Sequence, residues 1–265
     1  MAANRPRHRR PAPAGQHFLG RRTAAEIVCS ARVGAGDLVV EIGAGRGVLT
    51  SEIARRARRV VAVELDPVLS RRLARRFEAD ANVHILSGDA LRVPFPREAF
   101  RAIGNVPFGI TSALLRRLLA EPSMFRADLV VQEQVARELS STRPRSLLAL
   151  SASPWWRFER GIRLPAHLFH PRPSVDASVL VLTRRPAPLV PARDRVPYLE
   201  VVRVAFRDAG APLPRALSRL GRSGEIRGAL REIGLDAAVR AVDLRVEEFV
   251  RLAAALGRRR LSRAR

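Results

Sequence analysis

Four consecutive residues, Asn105-Val106-Pro107-Phe108, carry the most specific chemistry in the chain. The exocyclic amine of adenine is a poor nucleophile, because its lone pair is delocalised into the ring. The side-chain oxygen of Asn105 and a backbone carbonyl of the turn at 106–107 can accept both amine hydrogens. That favours a pyramidal nitrogen whose lone pair points at a methyl donor. Pro107 stiffens the turn, and Phe108 offers a face on which an extruded base stacks. No strong general base is required, since the proton can leave after transfer; the effect is positioning plus electrostatics. Asn-x-Pro also occurs in plain turns. Its position after a strand pattern favours the chemical reading.

A second constellation suits a nucleoside-bearing cofactor. An apolar strand pattern at 37–42 runs into Glu41-Ile42-Gly43-Ala44-Gly45-Arg46-Gly47. A glycine-rich turn there lets a ligand approach the backbone at the carboxyl edge of an open sheet. The dinucleotide fingerprint needs glycine where Val48 stands, so that reading fails. Glu64 closes the second strand pattern and is placed to accept from ribose hydroxyls. Asp89, before Ala90 and after the third strand pattern, is placed to meet an adenine amino group. S-adenosylmethionine fits best: it has ribose and adenine, no phosphate, and a positive sulfonium suited to an acid-lined pocket. Singly, Glu41, Glu64 and Asp89 read as solvated acids; together, at consecutive strand ends, they read as a site.

The segment 168–176, with Phe169 between two histidines and two prolines, is a second candidate. Phe169 could clamp the other face of the base, although a core Phe in a Pro-rich loop is the plainer reading. His167 and His170 lack companion ligands, so no metal is expected. Cys29 stands alone, which excludes a disulfide framework and points to a reducing, cytoplasmic setting.

Several elements must position these residues. Strand patterns at 37–42, 60–65, 83–86, 100–103 and 129–132 alternate with helical patterns at 50–59, 67–77 and 112–119. Such alternation predicts a mainly parallel α/β sheet. A late strand at 175–182 lacks a crossover helix and is expected antiparallel, in a hairpin with 157–164. Pro186, Pro188 and Pro191 mark a linker. Beyond it, Tyr198, Val201, Val202 and Ala205 open a helical tail, continued at 229–233 and 246–256. The organisation expected is a basic arm at 1–15, a catalytic domain at 16–185 and a helical RNA-binding domain at 186–265. The N-terminal stretch has no secretory h-region, and no apolar run suits a bilayer span.

The charge indicates a polyanionic partner. All 48 basic residues are Arg, against 25 acids, for a net +23 over 265 residues. Codon bias could favour Arg over Lys, but it does not create the surplus. Arg forks onto phosphates and stacks on bases, and displaced counterions supply affinity. The surplus is concentrated at the ends: residues 1–22 hold six Arg and no acid. Arg5, Arg7, Arg9 and Arg10 are the arm candidates for RNA contact.

Taken in order, Gln16-His17-Phe18-Leu19, the turn at 41–50, Val63-Glu64-Leu65-Asp66, Gly88-Asp89-Ala90-Leu91, Asn105–Phe108 and 169–176 resemble the rRNA adenine N6-methyltransferase family, which includes the Erm and KsgA/Dim1 enzymes. The resemblance covers nearly the whole chain. It implies a Rossmann-like class I methyltransferase fold with a seven-stranded sheet and a small C-terminal helical domain. It implies cofactor contacts by Gln16, His17, Leu19, Glu41, Gly43, Gly45, Glu64, Asp89, Ala90 and Asn105. It implies a base held by Asn105, stacked on Phe108 with Phe169 opposite. Many members carry Tyr where this chain has Phe108, so a hydroxyl contact is lost here. NVPF, the segment 154–161 and the Arg-rich extensions look like the actinobacterial Erm branch. That branch methylates 23S rRNA and confers macrolide, lincosamide and streptogramin B resistance. The expected protein is a cytoplasmic monomer with no membrane partner. The alternatives are a KsgA-type 16S rRNA dimethyltransferase and a non-catalytic nucleic-acid-binding protein on this fold. The second would show a decayed cofactor site. A DNA adenine methyltransferase would show an acid in place of Asn105.

Overall fold

The computed structural model describes residues 17–261, with side chains to 258. In chain order the first elements are β1 (Phe18–Leu19), α1 (Arg21–Ser30), β2 (Leu38–Ile42), α2 (Val48–Ala54), β3 (Arg59–Glu64), α3 (Pro67–Arg76) and β4 (Val83–Ser87). Then come β5 (Phe100–Asn105), α4 (Thr111–Ala120), β6 (Met124–Gln132), α5 (Glu133–Leu139), α6 (Leu147–Ala152), β7 (Trp156–Leu164), β8 (Phe169–His170) and β9 (Ala177–Arg184). The tail holds α7 (Arg195–Ala205), α8 (Leu213–Ala216), α9 (Ser223–Glu232) and α10 (Val246–Leu261).

Seven strands form one sheet in the order β4-β3-β2-β5-β6-β9-β7. The first five pair parallel, and β9 joins β6 and β7 antiparallel, as the missing crossover helix implied. Strand order reverses between β2 and β5. This is the topological switch point, where a crevice opens at the strands' carboxyl ends.

β2 is buried along its whole length, which is why its sequence is continuous rather than alternating. Its period of two still divides the core. Leu38, Val40 and Ile42 join one apolar cluster, with Phe100, Ala102, Leu114 and Leu129. Val39 joins the cluster on the other face, with Ile27, Ile53, Val60 and Ala62. A third cluster, built around Tyr198, Phe249 and Leu252 of the tail, includes Leu150 from α6. The Tyr198 hydroxyl donates to the Leu150 carbonyl at 2.8 Å, and Trp155 meets the Tyr198 ring edge-on. These contacts tie the tail to the sheet domain.

Boundaries differ from expectation in several places, two of them with a clear physical cause. The first helix after the glycine turn spans Val48–Ala54 rather than 50–59, because Arg59 already pairs with Leu38 in the sheet. β6 begins five residues before 129. Its early part carries Arg126 and Asp128, which lie outside the strand expected at 129–132. The two form a bidentate pair at 2.7 Å, with Asp128 buried, so the charges sit inside the strand. Among the described residues no helix is long and apolar enough to cross a membrane, and no His/Cys/Asp/Glu group could hold a metal ion.

Candidate active site

The crevice at the switch point is a cleft of about 990 Å³, counting its solvent-open mouth. Its floor is the glycine turn after β2. The amides of Gly43 and Ala44 donate to the Val63 carbonyl at 2.9 and 3.1 Å, which locks the turn to the end of β3. Gly43, Gly45 and Gly47 take φ of +73°, +57° and +74°, a region L-residues avoid. At Gly47 a Cβ would also lie 2.7 Å from Leu73 and 2.8 Å from Phe77, so α3 packs directly on this backbone.

Glu64 lines the cleft at the end of β3 and is almost wholly buried. One carboxylate oxygen accepts the Gly45 amide at 2.7 Å and the other accepts the Asp66 amide at 2.8 Å. The acid therefore faces the glycine turn from within the cleft. Asp89 and Ala90 line the opposite wall after β4. Asp89 accepts from the Leu91 amide at 2.9 Å, and its second oxygen lies 3.8 Å from the Arg92 guanidinium.

Glu41 departs from expectation. It does not line the cleft; it is fully buried beneath the turn, where Thr50 donates to it at 2.6 Å. Strand alternation explains this, since Ile42 faces the cleft and its neighbour faces away. Burial pushes the Glu41 carboxyl up to about 7, with the Thr50 hydrogen bond opposing and Glu64 adding a smaller rise.

Asn105 ends β5 and lines the cleft with Pro107 and Phe108. Its Nδ2 donates to the His17 carbonyl at 2.5 Å. A carbonyl only accepts, so the amide is oriented with Nδ2 toward the strap and Oδ1 as its free acceptor. Phe108 begins a short 3₁₀ turn to Ile110 and is half-buried.

The segment 17–19 closes one side of the cleft as a strap. β1 pairs antiparallel with β8, Phe18 opposite His170 and Leu19 opposite Phe169. The Arg46 guanidinium lies 4.3 Å from the Phe18 ring centre. Leu19 and His17 line the cleft. Phe169 does not: it is buried in the core beside the strap, in one apolar cluster with Leu19. The ring beside Phe108 is that of His17, with centroids 5.9 Å apart and planes tilted by 36°. Gln16, Arg5, Arg7, Arg9 and Arg10 lie outside the described residues.

Sequence reasoning missed Leu65, Arg46 and Ile110 as cleft residues. Leu65 is 69% exposed. An apolar side chain left that open beside a strand-end acid is a flat surface for a base. Its only sequence signal was its place after Glu64, and a strand end explained that equally well.

The geometry is a cleft lined by two strand-end acids, joined to an oriented amide and an aromatic ring. Residues 8–257 match the family model described as ribosomal RNA adenine dimethylase. An rRNA adenine N-6-methyltransferase of Aeromicrobium erythreum is 36% identical over 77% of this chain, a match spanning 61% of that protein's length. Ribosomal RNA small subunit methyltransferase A of Moorella thermoacetica is 36% identical over 91% of both chains. The crystal structure of the 23S rRNA methyltransferase ErmE superposes with a TM-score of 0.82 at 31% identity, over 91% of this chain and 99% of that one. With the family model matching nearly the whole chain, this chain belongs to the ribosomal RNA adenine dimethylase family.

Proposed function

We propose that this chain transfers a methyl group from S-adenosylmethionine to N6 of an adenine in 23S rRNA, and so confers macrolide, lincosamide and streptogramin B resistance. The observation that carries the reading is the Asn105 amide. The strap carbonyl fixes it with an acceptor that meets no donor among the described residues, in a cleft beside an aromatic ring.

The cleft fits S-adenosylmethionine better than a dinucleotide. The Gly45 amide, which would face a pyrophosphate in a dinucleotide site, already meets the Glu64 carboxylate. A pyrophosphate there would confront that carboxylate, whereas a sulfonium cofactor has no phosphate to repel. Glu64 and Asp89 would hold the ribose and adenine, with Gly43, Gly45, Leu19 and His17 shaping the walls. When bound, the cofactor supplies an electrophilic methyl group. The protein's part is to present the amine. Asn105 Oδ1 and a carbonyl of the 105–107 turn accept the two N6 hydrogens, which localises the nitrogen lone pair. Pro107 fixes the turn and Phe108 supports the base plane. The remaining work is orientation.

The Arg arm at 5–10 and the helical tail beyond the linker are proposed as the RNA-holding parts. We take the protein to act as a cytoplasmic monomer, a reading supported by an rRNA substrate and a cleft lined by residues of one chain. The Moorella thermoacetica relative favours a second reading, dimethylation in 16S rRNA. One assay separates the two: label transfer to unmethylated 23S and 16S rRNA, with primer-extension stops locating the base. A single modified adenine in 23S supports the proposal. A modified adjacent pair in 16S replaces it with the second reading. Transfer to neither overturns both.

A further inference from the structure

We propose that Arg46 is a positioning residue for methyl transfer: its guanidinium clamps the Phe18 ring and so holds the strap whose carbonyl orients Asn105. The inference rests on the methyltransferase reading above. Its basis is how little else holds the strap against the glycine turn. β1 has two residues and pairs with the two residues of β8, a contact too small to be stable by itself. His17 Nδ1 adds one hydrogen bond to the Pro171 carbonyl, at 2.8 Å. Both anchors tie the strap to the segment 169–171. On its other side the strap meets the glycine turn through Phe18. That ring is half-buried and belongs to none of the three apolar clusters. It packs on Gly45, where a Cβ would lie 3.2 Å from the ring, and its face lies 4.3 Å from the Arg46 guanidinium carbon.

Arg46 is itself held in place for this contact. Its backbone carbonyl accepts from Arg76 at 2.6 Å, and Arg76 also donates to the Ser51 hydroxyl at 2.8 Å, so α2 and α3 together fix the root of the side chain. Among the described residues the Arg46 guanidinium makes no hydrogen bond and no ion pair. Its partner is the negative face of the Phe18 ring, on which a planar cation stacks. The consequence reaches the target base through one peptide unit. Phe18 directly follows His17, whose carbonyl accepts from Asn105 Nδ2. With the strap displaced from the turn, that amide loses the carbonyl that orients it and is free to rotate. Rotation would present its NH₂ donor, rather than its oxygen acceptor, to the adenine amine, whose hydrogens need an acceptor.

Four variants of the full chain test this: Arg46→Met, Arg46→Lys, Phe18→Leu and the pair Arg46→Met with Phe18→Leu. Methionine keeps the length of the side chain and removes the charge; lysine keeps the charge. At saturating S-adenosylmethionine and rRNA, Arg46→Met should lower the single-turnover rate on the order of 10-fold, the fold-change of one cation–aromatic contact. KM for rRNA and the calorimetric affinity for S-adenosylmethionine should stay at wild-type values. Arg46→Lys should recover most of the rate. The paired variant should be no slower than the slower single variant, because both changes remove the same contact. Hydrogen exchange of the strap amides at 17–20 should quicken in Arg46→Met, which reads the strap without turnover. Three results overturn the proposal alone: losses that multiply in the paired variant, strap exchange unchanged in Arg46→Met, or a raised KM with an unchanged saturating rate. The last would mean that Arg46 holds RNA or cofactor directly. No transfer to any rRNA by the wild-type protein overturns the parent reading, and this proposal with it.

Discussion

At the scale of single residues, the site turns on which polar groups are already satisfied. Asn105 has one end of its amide committed to the strap and one end free, which is what an acceptor for an amine requires. Asn105→Ala should therefore lower turnover by about 100- to 1000-fold, the loss seen when a preorganised polar partner is removed. Cofactor binding measured by calorimetry should persist; near-normal turnover would remove Asn105 from the mechanism. Glu41 shows the opposite case, an acid in the same motif that serves the fold. Its folded pKa of about 7 lies above the ordinary value of 4.5. Below about pH 4.5 both folded and unfolded forms are protonated and its contribution is complete. As pH rises to about 7, the unfolded chain ionises first and stability falls, by about 3 kcal/mol over the window. Urea melts should show this decline in wild type and a flatter profile in Glu41→Gln, which keeps a partner for Thr50. Parallel profiles would show that Glu41 ionises as freely in the folded state as in the unfolded chain.

Among the elements, the glycine turn does most to place the site. Gly47 starts α2 in a left-handed conformation, and α3 closes over it through Leu73 and Phe77. Asp66 caps α3, accepting the Val68 and Leu69 amides at 2.7 and 3.1 Å, so that helix is held firmly at its start. Gly47→Ala has to strain φ and displace two packed side chains, at a cost of about 2–3 kcal/mol. A fall in Tm of roughly 5–10 °C is expected by calorimetry. An unchanged Tm would mean that α3 can withdraw without cost. The alternation of strand and helix was legible from the sequence, because each element's apolar period is local. The early half of β6 was not legible. Its charges are neutralised by their own pairing two residues apart in the strand, and charge alone reads as solvent exposure.

For the whole molecule, the sign and placement of charge dominate. The arm arginines at 5, 7, 9 and 10 add charge with no nearby acid. Replacing all four with Ala should weaken binding to an rRNA fragment and reduce the slope of log affinity against log salt by about 3. A slope unchanged in a filter-binding salt series would place RNA contact elsewhere. The tail's separate apolar cluster, joined to the sheet domain through Leu150, Trp155 and Tyr198, gives the second basic region a fixed attachment.

The sequence by itself determined the local machinery: a glycine turn after the first long strand, acids after the next two, and an amide-proline-aromatic corner after the fourth. Each is a short segment whose backbone needs and side-chain chemistry are readable within a few residues. Tertiary structure decided which of those groups face one another. His17 and Asn105 are 88 residues apart, and β1 meets β8 across the whole catalytic domain. Phe169 looked like a base clamp and is core, because β8 pairs edge to edge with the strap and turns Phe169 into the apolar cluster that holds Leu19. Glu41 looked like a ligand and is buried, because strand alternation turns it from the cleft. Long-range pairing and the facing of side chains depend on which surfaces become buried together, and no local period encodes that.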